Sequence, residues 1–350
     1  MKVWEIDGVK YKLPNELNPF QLKLYVHLIN WKWKNITKEA GVFEYEGRIY
    51  QNDTILPESC REEYPLIYKT VLEDFLEHQN HYKFKLHDYF NHMASSQVAN
   101  VNLFLTVLLS SNCDSILKQL KPDFNSLATE QLYKGFRIEF WSGNSDDDTG
   151  LLNDHTPDYG TDSDIAIAYY NNKNKLCLWL IEHKLAEVEF STCGGYTTLS
   201  KRKNILKHKC DKPFSEIIEN KNLCYYKDIR KFKYWEVTDN NKSFFVNNKE
   251  FEECPFQGGT NQLWRNQILG MALEKDNNNP FEQVYFSVVK HPENIYLNES
   301  INSYKKLIGD TQKFSVFTST DVLNATDSIN DASLNKWFKW YKELYNINNI

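Results

Sequence analysis

The sequence predicts an α/β protein with a mixed central sheet flanked by helices, and three observations predict it. Residues 165–170 and 176–181 are apolar runs rich in β-branched and aromatic side chains, five polar residues apart, the pattern of a hairpin or two neighbouring strands. A further strand run lies at 284–290. Around these, apolar residues recur at the three- and four-residue helical interval over 62–80, 93–109 and 261–273.

The elements follow in order. Residues 1–90 read as a mixed, largely helical cap, with a helix around 19–33, a hairpin at 42–50 and a helix over 62–80. Residues 91–350 form the second unit. In the helix at 93–109, Ser95 or Ser96 serves as N-cap and Gln97 falls in the first turn. Gln97 and Asn102 are polar positions on an otherwise core-like helix, and buried amides commonly satisfy a neighbouring backbone. Strand 135–141 alternates, with Phe136, Ile138 and Phe140 on one face and Arg137, Glu139 and Trp141 on the other. Residues 142–160 are polar and read as a loop; Asp146, Asp147 and Asp148 lack the glycine and terminal glutamate of a calcium loop. The helix at 261–273 carries Gln262 and Asn266 on one stripe, with Arg265 beside them, against an apolar stripe of Trp264, Ile268 and Met271. The chain closes with a helix at 298–307, a strand at 314–318 and helices at 321–325 and 335–345.

Composition narrows the function. Of the 350 residues, 41% are hydrophobic and 15% aromatic, ample for a large core. Residues 1–13 contain no apolar stretch of signal-peptide length, and nowhere do about 18 uncharged apolar residues run together. The expectation is a cytoplasmic protein without a membrane partner. A net charge of -6 argues against a protein that coats nucleic acid. The distribution says more: residues 201–233 hold eleven Lys and Arg against four acids, whereas 139–164 hold eight acids and no Lys or Arg. A basic flank beside an acidic cluster suits a metal-dependent enzyme acting on a polyanion; two solvated surface runs would look the same.

The acids have a pattern. Asp164 opens the first strand of the hairpin, and Glu182 and Lys184 close the second, so two carboxylates and an ammonium meet at neighbouring strand mouths. His183 points to the opposite face. An Asp, a strand-turn-strand, then Glu-x-Lys resembles the PD-(D/E)XK nuclease superfamily, and the order of elements over about residues 62–300 resembles it too. The resemblance implies a restriction-endonuclease-like core that hydrolyses phosphodiester bonds in DNA with Mg²⁺ or Mn²⁺. It implies that Asp164, Glu182 and the backbone carbonyl of His183 ligate the metal and that Lys184 orients water or stabilises charge. Glu139, Gln97 and Gln262 would complete the site. The superfamily's Gln helix often carries a Tyr four positions on, where this chain has Asn266.

Between Lys184 and the helix at 261 lies an insertion, at 191–260, holding Cys193, Cys210, Cys224 and Cys254 in the spacing Cys-x(16)-Cys-x(13)-Cys-x(29)-Cys. Seven cysteines, an odd number, make a disulfide framework a poor account in a reducing compartment. Four thiolates could hold Zn²⁺ or an iron–sulfur cluster, or the thiols could simply be buried. Some nucleases of the resembled superfamily carry a cysteine-ligated cluster. Cys60, Cys113 and Cys177 read as buried and inert. Lys201, Arg202, Lys203, Lys207 and Lys209 form the candidate DNA-backbone surface, which Arg230, Lys231 and Lys233 would extend.

No Walker motif, HExxH, dinucleotide fingerprint or nucleophile elbow is present. The rivals to a DNA nuclease are an idle nuclease fold that binds nucleic acid, an RNA-cleaving enzyme and a zinc-stabilised interaction protein. A homodimer stays open.

Overall fold

In the computed structural model, which describes residues 2–143, 148–156, 160–197 and 210–347, the chain begins with a hairpin of β1 (Lys2–Ile6) and β2 (Val9–Leu13). Helix α1 (Pro19–Asn35) follows, opened by a capping box in which Asn18 and Gln21 bond each other's backbone, with Pro19 at the first helical position. A second hairpin pairs β3 (Gly41–Tyr45) with β4 (Arg48–Asn52). The helix expected over 62–80 is shorter: 3₁₀ turns at Glu58–Glu63 and Lys69–Val71 precede α2 (Leu72–Tyr82). Tyr64 is left-handed (φ 48°) directly before Pro65, and a residue before proline is pushed out of the helical region. Periodicity alone overlooked that break.

Helix α3 (Ser96–Leu108) starts where expected, with the Ser95 hydroxyl accepting from the N–H of Val98. Helix α4 (Cys113–Leu120) and strand β5 (Phe124–Leu127) come next, and neither was anticipated. Strand β6 (Phe136–Phe140) precedes the central hairpin of β7 (Ser163–Asn171) and β8 (Leu176–Lys184). The insertion folds as short helices: α5 (Gly194–Thr197), α6 (Phe214–Glu219), α7 (Tyr225–Asp228) and α8 (Tyr234–Asn240), with 3₁₀ turns between. Then come α9 (Thr260–Lys275), β9 (Gln283–Lys290), α10 (Asn298–Ile308), β10 (Phe314–Thr318), α11 (Ser319–Asp327) and α12 (Ala332–Leu344).

Strands β5 to β10 form one mixed sheet in the order β10-β9-β8-β7-β5, with β6 also on the free edge of β7. Strands β7 and β8 are antiparallel, with Ile165 opposite Ile181, whereas β9 runs parallel to β8 and β10 parallel to β9. Both sheet faces are covered, which is why the central strands read as unbroken apolar runs. Ile165, Ile167, Trp179 and Ile181 face a first layer holding α3, α4, α11 and α12. Ala166, Ala168, Leu178 and Leu180 face a second layer built from α9, α10 and the aromatic residues of the insertion.

Two expectations change here. Phe20, Leu24, Leu28 and Phe75 share the first layer with α3, so residue 90 marks no break in packing; a small separate cluster of Tyr11, Leu13 and Ile29 is all that the first hairpin and α1 keep to themselves. The alternation expected for β6 fails at Glu139, which is left-handed (φ 50°): Phe136 and Ile138 enter the first layer, but Phe140 enters the second. No helix among the described residues is long and apolar enough to cross a membrane.

Candidate active site

The antiparallel ladder of the central hairpin closes at Ile165 and Ile181. Beyond it, the Asp164 carboxylate takes over from the backbone: Oδ2 accepts the N–H of His183 at 2.5 Å. Helix α3 fixes the same strand mouth from below, because Asn100 Nδ2 donates to the Asp164 carbonyl at 3.0 Å. Glu182 is held on both oxygens. Gln262 Nε2 donates to Oε1 at 2.6 Å, Asn266 Nδ2 to Oε2 at 3.0 Å, and the Lys184 ammonium lies 3.0 Å from Oε1. Asn266, where a Tyr was expected, therefore serves the same carboxylate as Gln262 from one turn along α9.

Glu139 completes the cluster from the β6 side. Gln97 Nε2 donates to its Oε1 at 2.7 Å, while Gln97 Oε1 accepts the N–H of His87 at 3.0 Å. One side chain thus fixes both a carboxylate and the chain segment that brings the His87 ring within 3.6 Å of it. Glu139, Asp164 and Lys184 are each 8% exposed and Glu182 5%, so the charges sit largely out of water with only one lysine among three carboxylates. The six residues expected at the site, Asp164, Glu182, Lys184, Glu139, Gln97 and Gln262, are brought together.

The electrostatics follow from that crowding. Desolvation, then the charges of Glu182 and Glu139, hold the Asp164 carboxyl well above its ordinary range. Asp162 keeps an exposed face, yet its carboxyl lies deep enough among protein atoms that desolvation, Glu139 and Glu182 raise it too. Desolvation pulls Lys184 down, but Glu182, Glu187 and Asp164 outweigh it and keep the ammonium charged. A hydrogen bond to Glu139 raises His87 against the opposing effect of burial. His183 is fully buried on the other side of the strand, as its parity required; burial lowers it to about 3, and neither ring nitrogen has a hydrogen-bond partner. The stretch of β8 that carries its carbonyl is paired with β9.

Three residues of this neighbourhood were not anticipated. Asp162 shares strand parity with Asp164, a signal the sequence did contain. Asn100 faces the sheet three positions after Gln97, at helical spacing. His87 lies outside any helix or strand, and nothing in its surroundings flags it. Arg265, expected beside Gln262, spends its guanidinium on the flanking loops, donating to the Gly160 carbonyl at 3.1 Å and the Ser191 hydroxyl at 3.0 Å.

A cleft of about 1050 Å³ opens beside the carboxylates, walled by the acids Asp88, Glu139, Asp154 and Asp162 and by the cations Lys83, Lys85, Arg137 and Arg230. The basic residues Lys201, Arg202, Lys203, Lys207 and Lys209 lie outside the described residues. In the insertion, Cys193, Cys210, Cys224 and Cys254 line one small cavity. Burial, with Cys193 and Cys224 adding to it, pushes the Cys210 thiol up to about 12. Among the described residues no three His, Cys, Asp or Glu side chains are arranged as a ready metal-ligand set.

A mixed sheet covered by helices on both faces, with acids and a lysine at the mouths of its central hairpin, is compatible with the restriction-endonuclease-like class. The family model described as "Restriction Endonuclease associating with ARP" matches residues 33–346, and the chain belongs to that family. Comparison with curated proteins and with solved structures gives no match.

Proposed function

We propose that the protein is a metal-dependent nuclease that hydrolyses phosphodiester bonds in DNA. The observation that carries this reading is the convergence of Asp164, Glu182, Lys184 and Glu139 at one sheet edge, each but Lys184 braced by an amide or backbone donor. The donor set fits Mg²⁺ or Mn²⁺: the oxygens are hard, and the repulsion from Glu182 and Glu139, which adds to burial in raising Asp164, is what a divalent cation would relieve. Asp164 and Glu182 would hold the ion, with the His183 carbonyl as a further ligand. Bound there, the ion supplies Lewis-acid polarisation of the phosphate and a more acidic water.

The chain's own residues do the rest. Gln262 and Asn266 lock the rotamer of Glu182, so that little reorganisation accompanies substrate binding. Lys184, charged at neutral pH, stabilises negative charge that develops on the phosphate. Lys83, Lys85, Arg137 and Arg230 offset the negative potential of the acids and draw a polyanionic backbone into the cleft. DNA rather than another polyanion is supported by the family description.

Purified protein incubated with plasmid DNA tests the reading. Cleavage is expected in Mg²⁺ or Mn²⁺, not in EDTA, and Asp164→Asn, Glu182→Gln and Lys184→Ala should each lower it by at least about 100-fold. Folded variants that cut at the wild-type rate would remove these residues from the chemistry. Metal-independent binding without cleavage would point instead to an idle fold.

A further inference from the structure

We propose that Cys193, Cys210, Cys224 and Cys254 bind a single structural Zn²⁺ that fastens the insertion to the start of α9. Four thiols from four separate segments of a 62-residue stretch wall one cavity, while the other three cysteines of the chain lie elsewhere. None of the four is in a disulfide. The rest of the wall is mostly apolar, with Ile217, Leu223, Trp235, Phe256 and Trp264, which closes the site to substrate and marks it as structural. Lys212, also on the wall, offsets part of the excess negative charge that four thiolates leave on a dication.

Size chooses between the two candidates for a four-thiolate site. The cavity of about 10 Å³ is the space of roughly one water-sized sphere. One tetrahedral ion needs no more once the thiols turn inward about χ1 to the usual ~2.3 Å Zn–S distance. A cluster of several irons and sulfides would need far more. Soft sulfur donors also exclude the Mg²⁺ or Mn²⁺ of the carboxylate site.

Such a staple would add to the aromatic packing that seats the insertion on the sheet. Among the described residues of the insertion the α-helices are four to seven residues long, too short to hold themselves. The backbone around the cavity is already drawn together: Cys193 N–H donates to the Gln257 carbonyl at 3.0 Å, and the Gln257 amide donates to the Cys210 carbonyl. From the Cys254 turn the ties run on into α9, where Thr260 bonds the Pro255 carbonyl and Asn261 Nδ2 bonds the Phe256 carbonyl at 3.1 Å. Gln262, the next residue, grips Glu182.

Untagged protein expressed in zinc-supplemented medium should contain about one zinc per chain by elemental analysis. Replacing the metal with Co²⁺ should give the thiolate charge-transfer and tetrahedral d–d bands of a four-sulfur site. Cys224→Ser or Cys254→Ser should lose most of the zinc, and Cys60→Ser should keep it. If the two site variants are insoluble, the Co²⁺ spectrum of the wild type decides alone. Less than about a tenth of an equivalent of zinc with no cobalt bands, zinc retained in soluble Cys224→Ser, or stoichiometric iron with a visible cluster spectrum would each overturn the proposal. None of these readouts depends on nuclease activity.

Discussion

Gln97 shows how much a single buried amide can organise. It donates to Glu139 and accepts from the His87 backbone, so Gln97→Ala strips a donor from a buried carboxylate and frees the segment before α3. The expected cost is about 1–3 kcal/mol of stability in urea denaturation, together with a loss of cleavage that the circular dichroism of the folded variant does not mirror. Stability equal to wild type would mean that water replaces both bonds without penalty. The Asp164 and Glu-x-Lys pattern was legible because the alternation of a strand fixes parity at its ends, which also turned His183 to the opposite face. His87 was not legible. It comes from an irregular segment, and Gln97 of α3, bonded to both its backbone and Glu139, ties it to the carboxylates.

Helix α9 carries the interactions that set Glu182, and its seat on the sheet depends on Gly270. A Cβ there would lie 3.0 Å from Val284 Cγ1 and 3.8 Å from Leu180 Cδ1. Gly270→Val must push the helix off β9, at an expected cost of about 1–3 kcal/mol, and should lower cleavage by displacing Gln262 and Asn266. Thermal denaturation and a cleavage assay on the folded fraction would check both effects. At the other side of the sheet, Trp337 of α12 is fully buried and donates its indole N–H to the Asn102 carbonyl at 2.7 Å. Trp337→Ala should cost about 3–5 kcal/mol, measured as a lower urea midpoint. Long elements such as α3 and α9 were readable from their apolar period. Helix α4 and β5 were not, since β5 is four residues, FNSL, with polar residues in the middle. The run before α2 misled because apolar residues kept the helical interval across Pro65, where the backbone cannot.

Across the whole molecule, four buried histidines link stability to pH: His78, His291, His92, which burial lowers to about 4, and His183, which it lowers to about 3. His78 and His291 each direct Nε2 at a carbonyl, of Phe136 at 3.0 Å and Tyr345 at 2.9 Å, and burial lowers both to about 4. In the unfolded chain they would take up protons near their ordinary value of about 6.5. Each contribution is therefore complete above about pH 6.5 and is lost as pH falls toward the folded value, with a slope approaching about 1.4 kcal/mol per pH unit for each histidine, and the raised carboxyls of Asp162 and Asp164 oppose it because folded they keep protons that the unfolded chain releases. Urea melts at pH 7.5, 6 and 5 should show His291→Asn to be less sensitive to acid than the wild type, by up to about 1.4 kcal/mol per pH unit. That both faces of the sheet are buried was plain from the strand runs. Which segments cover each face was not, since pairing Phe20 with residues three hundred positions away leaves no local pattern.

That distance has a kinetic consequence. The first layer draws on residues from Phe20 to Ile347, so closing it joins the two ends of the described chain, whereas the second layer begins at Ala128 and is complete by Phe314. During synthesis the insertion, α9 and α10 can settle on the sheet while α1 to α3 still wait for α12. Contacts of such long sequence separation form slowly. A chain halted before Trp337 would hold the carboxylates on strands whose first layer lacks α12, and α3, which positions Gln97 and Asn100, would lack the partner that pins it. The carboxylate cluster is therefore expected to gain its full bracing only once α12 has folded against α3.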